Sequence, residues 1–294
     1  MSQAAVRTEV VVARPRRGVW GTVRRHPRIL VGGLIVVTLA LAAILAPIIA
    51  PFNPIEVDPS RALQPPGPLH LLGTDDLGRD VFSRVIYGAR VSLTVGVISV
   101  SIGLIVGVTI GLTAGYLGGV VDLLLMRVID ALLAFPALIL AIAITAALGP
   151  QIQNAMIAIG IVAIPAYARL TRGQVLSVRE HEFVLAARAL GAPTRRIVLR
   201  HILPNIVNPL IVQATLSTAF AILQEASLSF LGLGAQPPNP SWGQDIYYSQ
   251  RYLANLKWWM SLGPGMAIFL AVFGFNFLGD ALRDLLDPRL SRRE

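Results

Sequence analysis

Apolar and polar residues alternate along this chain in blocks rather than in a surface-to-core rhythm. Six long apolar runs can be drawn: Ile29–Ala50, Val91–Tyr116, Val121–Leu148, Ile152–Tyr167, Ile206–Leu228 and Leu262–Leu278. A helix needs roughly 20 apolar residues to cross the ~30 Å hydrocarbon layer of a bilayer. The pattern therefore predicts an all-α polytopic membrane protein with six transmembrane helices. Pro136 and Pro165 fall inside the third and fourth runs and should kink them, since proline removes a backbone hydrogen bond. Gly103, Gly107, Gly111 and Gly115 recur every fourth residue in the second run. They stack on one helix face and let a neighbouring backbone approach closely. The spacing leaves open whether that neighbour belongs to this chain or to another.

The polar blocks set the orientation. Seven Arg precede Ile29, seven lie between Arg169 and Pro204, and Arg283, Arg289, Arg292 and Arg293 follow the last run. With an even number of spans, all three blocks share one side, and the positive-inside bias makes it the cytoplasm. The resulting organisation is a tail (1–28), a first span (29–50), an external loop (51–90), a five-helix core (91–278) and a C-terminal tail (279–294). Within the core lie a cytoplasmic loop (168–204) and an external aromatic segment (234–260). The loop 51–90 nearly balances its charges: Arg61, Arg79, Arg84 and Arg90 stand against Glu56, Asp58, Asp75, Asp76 and Asp80. Tyr247, Tyr248, Tyr252, Trp258 and Trp259 suggest a partly helical segment at the outer headgroups, or else one lining a substrate path.

Composition agrees with a bilayer protein. Of 294 residues, 54% are hydrophobic and 14% charged, against about a quarter charged in soluble domains. The net charge of +9 does not point to nucleic acid, because the basic residues sit at span edges. The first apolar run is longer than a signal-peptide core, with no convincing cleavage site, so it reads as a span.

Enzyme chemistry finds little support. There is no Cys, which removes disulfides and thiolate metal sites. The single Lys, Lys257, is followed by Trp258 and cannot serve a P-loop. His181-Glu182 begins like a zinc-protease helix, but Leu185 stands where the second His is needed. No catalytic residue, bound cofactor or metal ligand is expected.

Ionisable residues inside the spans are Asp122, Arg127, Asp130 and Glu225, functional suspects by default. Arg127 and Asp130 are three apart, roughly 10–14 Å inside the inner surface, and can pair on one helix face. Glu225, near the outer end of its span, can hydrogen-bond a neighbouring helix or stay protonated. A substrate contact and proton coupling are its other readings.

The loop between the fourth and fifth spans is the most distinctive segment. Phe183, Ala186, Ala187 and Leu190 fall at i, i+3, i+4 and i+7, a narrow apolar face on a short helix. Gly191 should end that helix and Pro193 begin another turn. Such a face suits docking into a groove of a partner protein. The rival reading is an amphipathic helix resting on the inner leaflet.

Ala186-Ala187, Gly191 and Leu203-Pro204 resemble the EAA signature of ABC-transporter permeases. Leu185 stands where that signature has Glu, which removes the basis for one polar contact to an ATPase but not for the loop's shape. Leu72–Leu93, Gln224–Gly234, Gln236–Gly243 and Phe275–Leu290 are similar to segments of the C-type permeases of dipeptide and oligopeptide importers. The resemblance implies a type I ABC importer of the bacterial inner membrane. The chain would pair with a homologous B-type permease, two ATPase subunits carrying ATP and Mg, and an extracytoplasmic substrate-binding protein. Phe183, Leu185, Ala186, Ala187, Leu190, Gly191, Leu203 and Pro204 would make the ATPase coupling. Di- or oligopeptides are the expected cargo, with nickel chelates, glutathione or sugars as alternatives. A secondary transporter would need an inverted repeat and a midplane ion site, neither of which is evident. A structural membrane subunit without a cavity is the other rival.

Overall fold

A computed structural model describes residues 27–286. The expected tail before Pro27 and the arginines Arg289, Arg292 and Arg293 lie outside these residues. Among the described residues, nine helices carry the architecture: α1 (Pro27–Ile44), α2 (Val81–Leu117), α3 (Gly119–Leu133), α4 (Ala137–Leu148), α5 (Ile152–Val178), α6 (Glu182–Ala189), α7 (Leu203–Phe230), α8 (Trp242–Ser249) and α9 (Trp259–Leu286). Short helical turns occupy Ala46–Ile49, Pro59–Arg61, Thr194–Arg196 and Gln250–Asn255. By length and composition, five helices among the described residues can cross a membrane, or six if the bent pair α3–α4 counts as one span.

That pair corrects the sequence expectation. The run Val121–Leu148 is not one kinked helix but two helices meeting at 91°. Pro136 supplies no N–H and pushes Phe135 out of helical geometry, so the helix ends and a new one starts beyond it. Pro165, by contrast, is accommodated inside a continuous α5.

Other boundaries shift for reasons the apolar pattern hides. The helix α2 starts ten residues before the expected Val91. Asp80 caps it, its carboxylate accepting from the Ser83 N–H at 2.7 Å. The first turns carry Ser83 and Arg84, both buried and bonded to the loop residues Phe52 and Pro54. The expected cytoplasmic loop 168–204 begins as helix, because α5 runs on to Val178. Before α7 the chain takes a π-helical register over Ile197–Ile202, with the Leu203 N–H reaching the Val198 carbonyl. The wider turn relieves the clash that Pro204 would make with the carbonyl four residues back.

The glycine ladder answers its own open question. Its neighbour is α5 of the same chain. A Cβ at Gly103 would lie 2.7 Å from Ala163 Cβ, one at Gly107 would lie 2.6 Å from Tyr167 Cβ, and one at Gly115 would lie 2.8 Å from Val175 Cβ. At Gly111 the obstacle is backbone, Ala168 O at 2.5 Å. The α2–α5 pair is the most extensive helix contact in the bundle. Around it the buried core includes Val95, Ile159, Tyr167 and Val175, and continues to Val184, Ile202 and Ile206 at the inner end, the one that the arginine pattern assigns to the cytoplasm. On the far side α1 lies against α9, where Gly32 faces the backbone of Gly274 and Leu278.

Candidate functional site

The inner end of the bundle presents α6. His181 is its N-cap position, and its C-terminus closes as a Schellman motif. The Ala192 N–H donates to Ala187 O at 3.1 Å and the Gly191 N–H to Arg188 O at 3.0 Å. Gly191 sits at φ +76, a left-handed conformation that suits glycine.

One residue holds this helix to the bundle. Val184 is fully buried, in the same cluster as Val178, Ile197, Ile202 and Ile206. Sequence reasoning missed it, because the outward face drew attention. That expected face is outward: Phe183 and Leu185 are over 40% exposed, Leu190 is 88% exposed, and Ala186 is exposed beside a half-buried Ala187. Leu203 is half-buried and Pro204 exposed at the start of α7. Among the described residues, Arg188, Arg195, Arg196 and Arg200 make no ion pair. Arg188 instead stacks over the Tyr116 ring, 5.8 Å from its centroid. The surface thus combines apolar side chains with free guanidinium groups.

The intramembrane charges are arranged differently from the expectation. Arg127 and Asp130 do not pair. Asp130 accepts from Arg169 of α5 at 2.6 Å, with both side chains about half exposed, and Arg127 is exposed. Position on the helix explains the swap: α5 lies alongside α3 and carries its own arginines. One turn nearer the inner end, Arg172 grips Asp122 through two bonds of 2.5 and 2.6 Å, the fork geometry that suits a carboxylate. Glu225 is fully buried and satisfied by three serine hydroxyls, from Ser92 on α2 (3.1 Å), Ser229 (2.7 Å) and Ser241 in the outer loop (3.0 Å). It ties two helices and a loop together.

At the outer end a polar network occupies the loops. Arg84, 2% exposed in its side chain, donates to Asp245 at 2.5 and 2.9 Å and to the Pro54 and Pro238 carbonyls. Burial pushes the Asp245 carboxyl above its ordinary pKa, while the Arg84 charge and hydrogen bonds pull it down. Arg79 binds Asp75 at 2.6 Å, and His70 lies 2.9 Å from Asp80. The aromatic segment is only partly exposed. Trp258 is half exposed, but Trp259 is buried and donates to Thr74 O at 3.2 Å, while Trp242 donates to Val85 O at 2.8 Å in the space left by Gly88. The near-balance of charge in 51–90 was the only sequence signal of this network. Among the described residues no cluster of His, Asp and Glu could hold a metal ion.

Known proteins resemble the chain along nearly its whole length. Residues 107–292 match the family described as binding-protein-dependent transport system inner membrane component, and residues 14–66 match the N-terminal TM domain of oligopeptide transport permease C. The dipeptide transport system permease protein DppC of Alkalihalophilus pseudofirmus is 48% identical over 276 residues, covering 94% of this chain and 90% of that protein. DppC of Escherichia coli is 47% identical over 284 residues, 95% of this chain and 94% of that protein. The di/tripeptide transport system permease protein DppC of Pseudomonas aeruginosa is 45% identical over 287 residues, 96% and 94%. Among solved structures, a chain of the inward-facing MetNI methionine ABC transporter shares the fold, with a TM-score of 0.55 at 21% identity, over 69% of this chain and 96% of that one. The bundle is therefore that of a type I ABC importer permease, and the chain belongs to the family of binding-protein-dependent transport system inner membrane components.

Proposed function

We propose that this chain forms one half of the translocation path of an ATP-driven importer of di- or oligopeptides and receives its driving force through α6. The exposed apolar face of α6, fixed to the bundle by the buried Val184, carries this reading. A short preformed helix with small residues at its centre fits a groove on a partner, and the ordering cost is already met. The partner that fits is an ATPase subunit, which supplies the ATP and Mg chemistry that this permease has no means to perform. A second permease would complete the path, with a second ATPase beneath it and a substrate-binding protein outside. The arginine-rich face with α6 would be cytoplasmic, as would both termini. Nucleotide binding must favour one global state over another, and α6 would transmit that preference to α5 and α7, which flank it in the chain. Peptide cargo follows from the names of the relatives.

The test is co-purification from native membrane with an ATPase assay and peptide uptake. A second permease and P-loop ATPases should accompany the chain. Charge at the docking face (Ala187→Glu) should abolish uptake while the chain still inserts. A chain that purifies without any ATPase, or whose uptake survives that change, removes the reading.

A further inference from the structure

A polar stripe runs along one face of α7. Gln213, Ser217 and Gln224 lie four and seven residues apart on α7, the spacing of one helix face. With Ser99 of α2 and Ala166 of α5, that face lines a cavity of about 210 Å³, roughly halfway along these helices. No Asp, Glu, Lys or Arg lines it. The neighbouring carboxylate, Glu225, is fully engaged by its three serines.

Within this wall the hydroxyls have partners and one amide has none. Ser99 Oγ donates to Met156 O at 3.0 Å, and Gln213 Nε2 donates to Ser217 Oγ at 3.2 Å. Gln224 is 5% exposed, and its Oε1 has no hydrogen-bond partner among the described residues. A buried acceptor left unpaired is costly, and an apolar side chain of the same size would pack there without that cost. The position is explained if a donor arrives during the working cycle.

We infer that the α7 stripe is a track for peptide backbone amides, with Gln224 Oε1 accepting a cargo N–H and Gln213–Ser217 offering the next polar contact. The inference rests on the reading that the cargo is peptide. The two glutamines are eleven residues apart, roughly 16 Å along the helix, about five residues of extended peptide. A dipeptide therefore meets them in turn, and a longer peptide can bridge them. An uncharged amide wall contacts what all peptides share and ignores side-chain charge, so discrimination is left to other components.

The test uses the complete importer, this chain with its partner permease, ATPases and binding protein, in proteoliposomes. Uptake of Ala-Ala and of its backbone N-methyl analogue is measured for wild type and Gln224→Met, an exchange of similar volume. Assembly is checked by the amount of complex recovered on size exclusion. Gln224→Met should lower Ala-Ala uptake about tenfold, the effect of one lost hydrogen bond. N-methylation should then matter about tenfold less in the variant than in wild type. Discrimination by the binding protein is common to both and cancels from this ratio. An N-methyl penalty of equal size in both, or full Ala-Ala uptake by the variant, overturns the inference while leaving peptide transport standing. A wild-type complex that imports neither compound overturns the peptide reading and this inference together. Should Gln224→Met not assemble, the same cycle on Gln213→Leu decides, and an undiminished N-methyl penalty there overturns the track.

Discussion

The two ends of this bundle solve opposite problems. At the outer end, Arg84, Asp245, Asp75 and Arg79 are buried and bonded to one another, and two tryptophan indoles donate to loop carbonyls. Charge and polarity are consumed inside the chain. At the inner end, α6 is held by Val184, its apolar side chains face outward, and the nearby arginines make no ion pair among the described residues. An end that satisfies its own groups is built to keep its shape. An end that leaves an ordered surface exposed is the one the proposed docking would use.

The sharpest way to break this contrast is to remove Arg84. Arg84→Met leaves Asp245 buried without its cation, while Asp75 keeps Arg79, and breaking a buried pair this way costs about 3–5 kcal/mol. Protonation of Asp245, already favoured by burial, softens that loss. The purified chain should melt well below wild type in detergent. Arg188→Met at the inner end should leave the melting temperature unchanged. Equal melting of both variants would mean that the outer network does not hold the cap.

The two ends are linked by the α2–α5 seam, which offers the next effect. A side chain at Gly111 meets the Ala168 carbonyl and Thr171 Cβ at 2.5–2.6 Å, so Gly111→Val must spread the helices. Overpacking of this kind costs about 1–3 kcal/mol. Gly33, beside which a Cβ meets nothing within 4 Å, is the control: Gly33→Ala should be neutral. A Gly111→Val protein as stable as Gly33→Ala would show that the close approach is not needed.

At the inner end the expected effect lies in coupling, with a smaller change in stability. Val184→Ala removes two buried methyl groups, about 2 kcal/mol of local anchoring, and should lower uptake in proportion as α6 loosens. Gly191→Pro forbids φ +76 and deletes the hydrogen bond to Arg188 O. It should cut uptake more than tenfold while the assembled bundle keeps its melting temperature. A large melting change with uptake retained would reverse the comparison drawn above.

The sequence revealed these regions unequally, and for physical reasons. Long apolar runs announce spans because a bilayer demands them, and a four-residue glycine period announces a close helix contact. The exposed face of α6 was legible as well, since Phe183, Ala186, Ala187 and Leu190 share a helical face and Gly191 marks its end. The break at Pro136 was visible only as a kink, because one proline permits either outcome and neighbouring helices decide. The outer network was nearly invisible, since Arg84 and Asp245 are separated by 161 positions. Val184 hid for the converse reason: a single valine in a polar loop gives no period.

The smallest expected effect tests the pairing that the sequence misassigned. Local spacing favoured Arg127 with Asp130, yet Arg169 makes the bond, with both partners about half exposed. An exposed pair contributes about 0–1 kcal/mol, and the fork between Arg172 and Asp122 one turn away already ties α3 to α5. Arg169→Ala should therefore melt close to wild type and import normally, whereas Arg172→Ala should melt lower. Loss of uptake in Arg169→Ala, with melting unchanged, would make Asp130 a moving part rather than a surface charge. The inner end would then contain a gate as well as the proposed docking face, and the division between a self-satisfied outer end and an exposed inner end would have to include motion between α3 and α5.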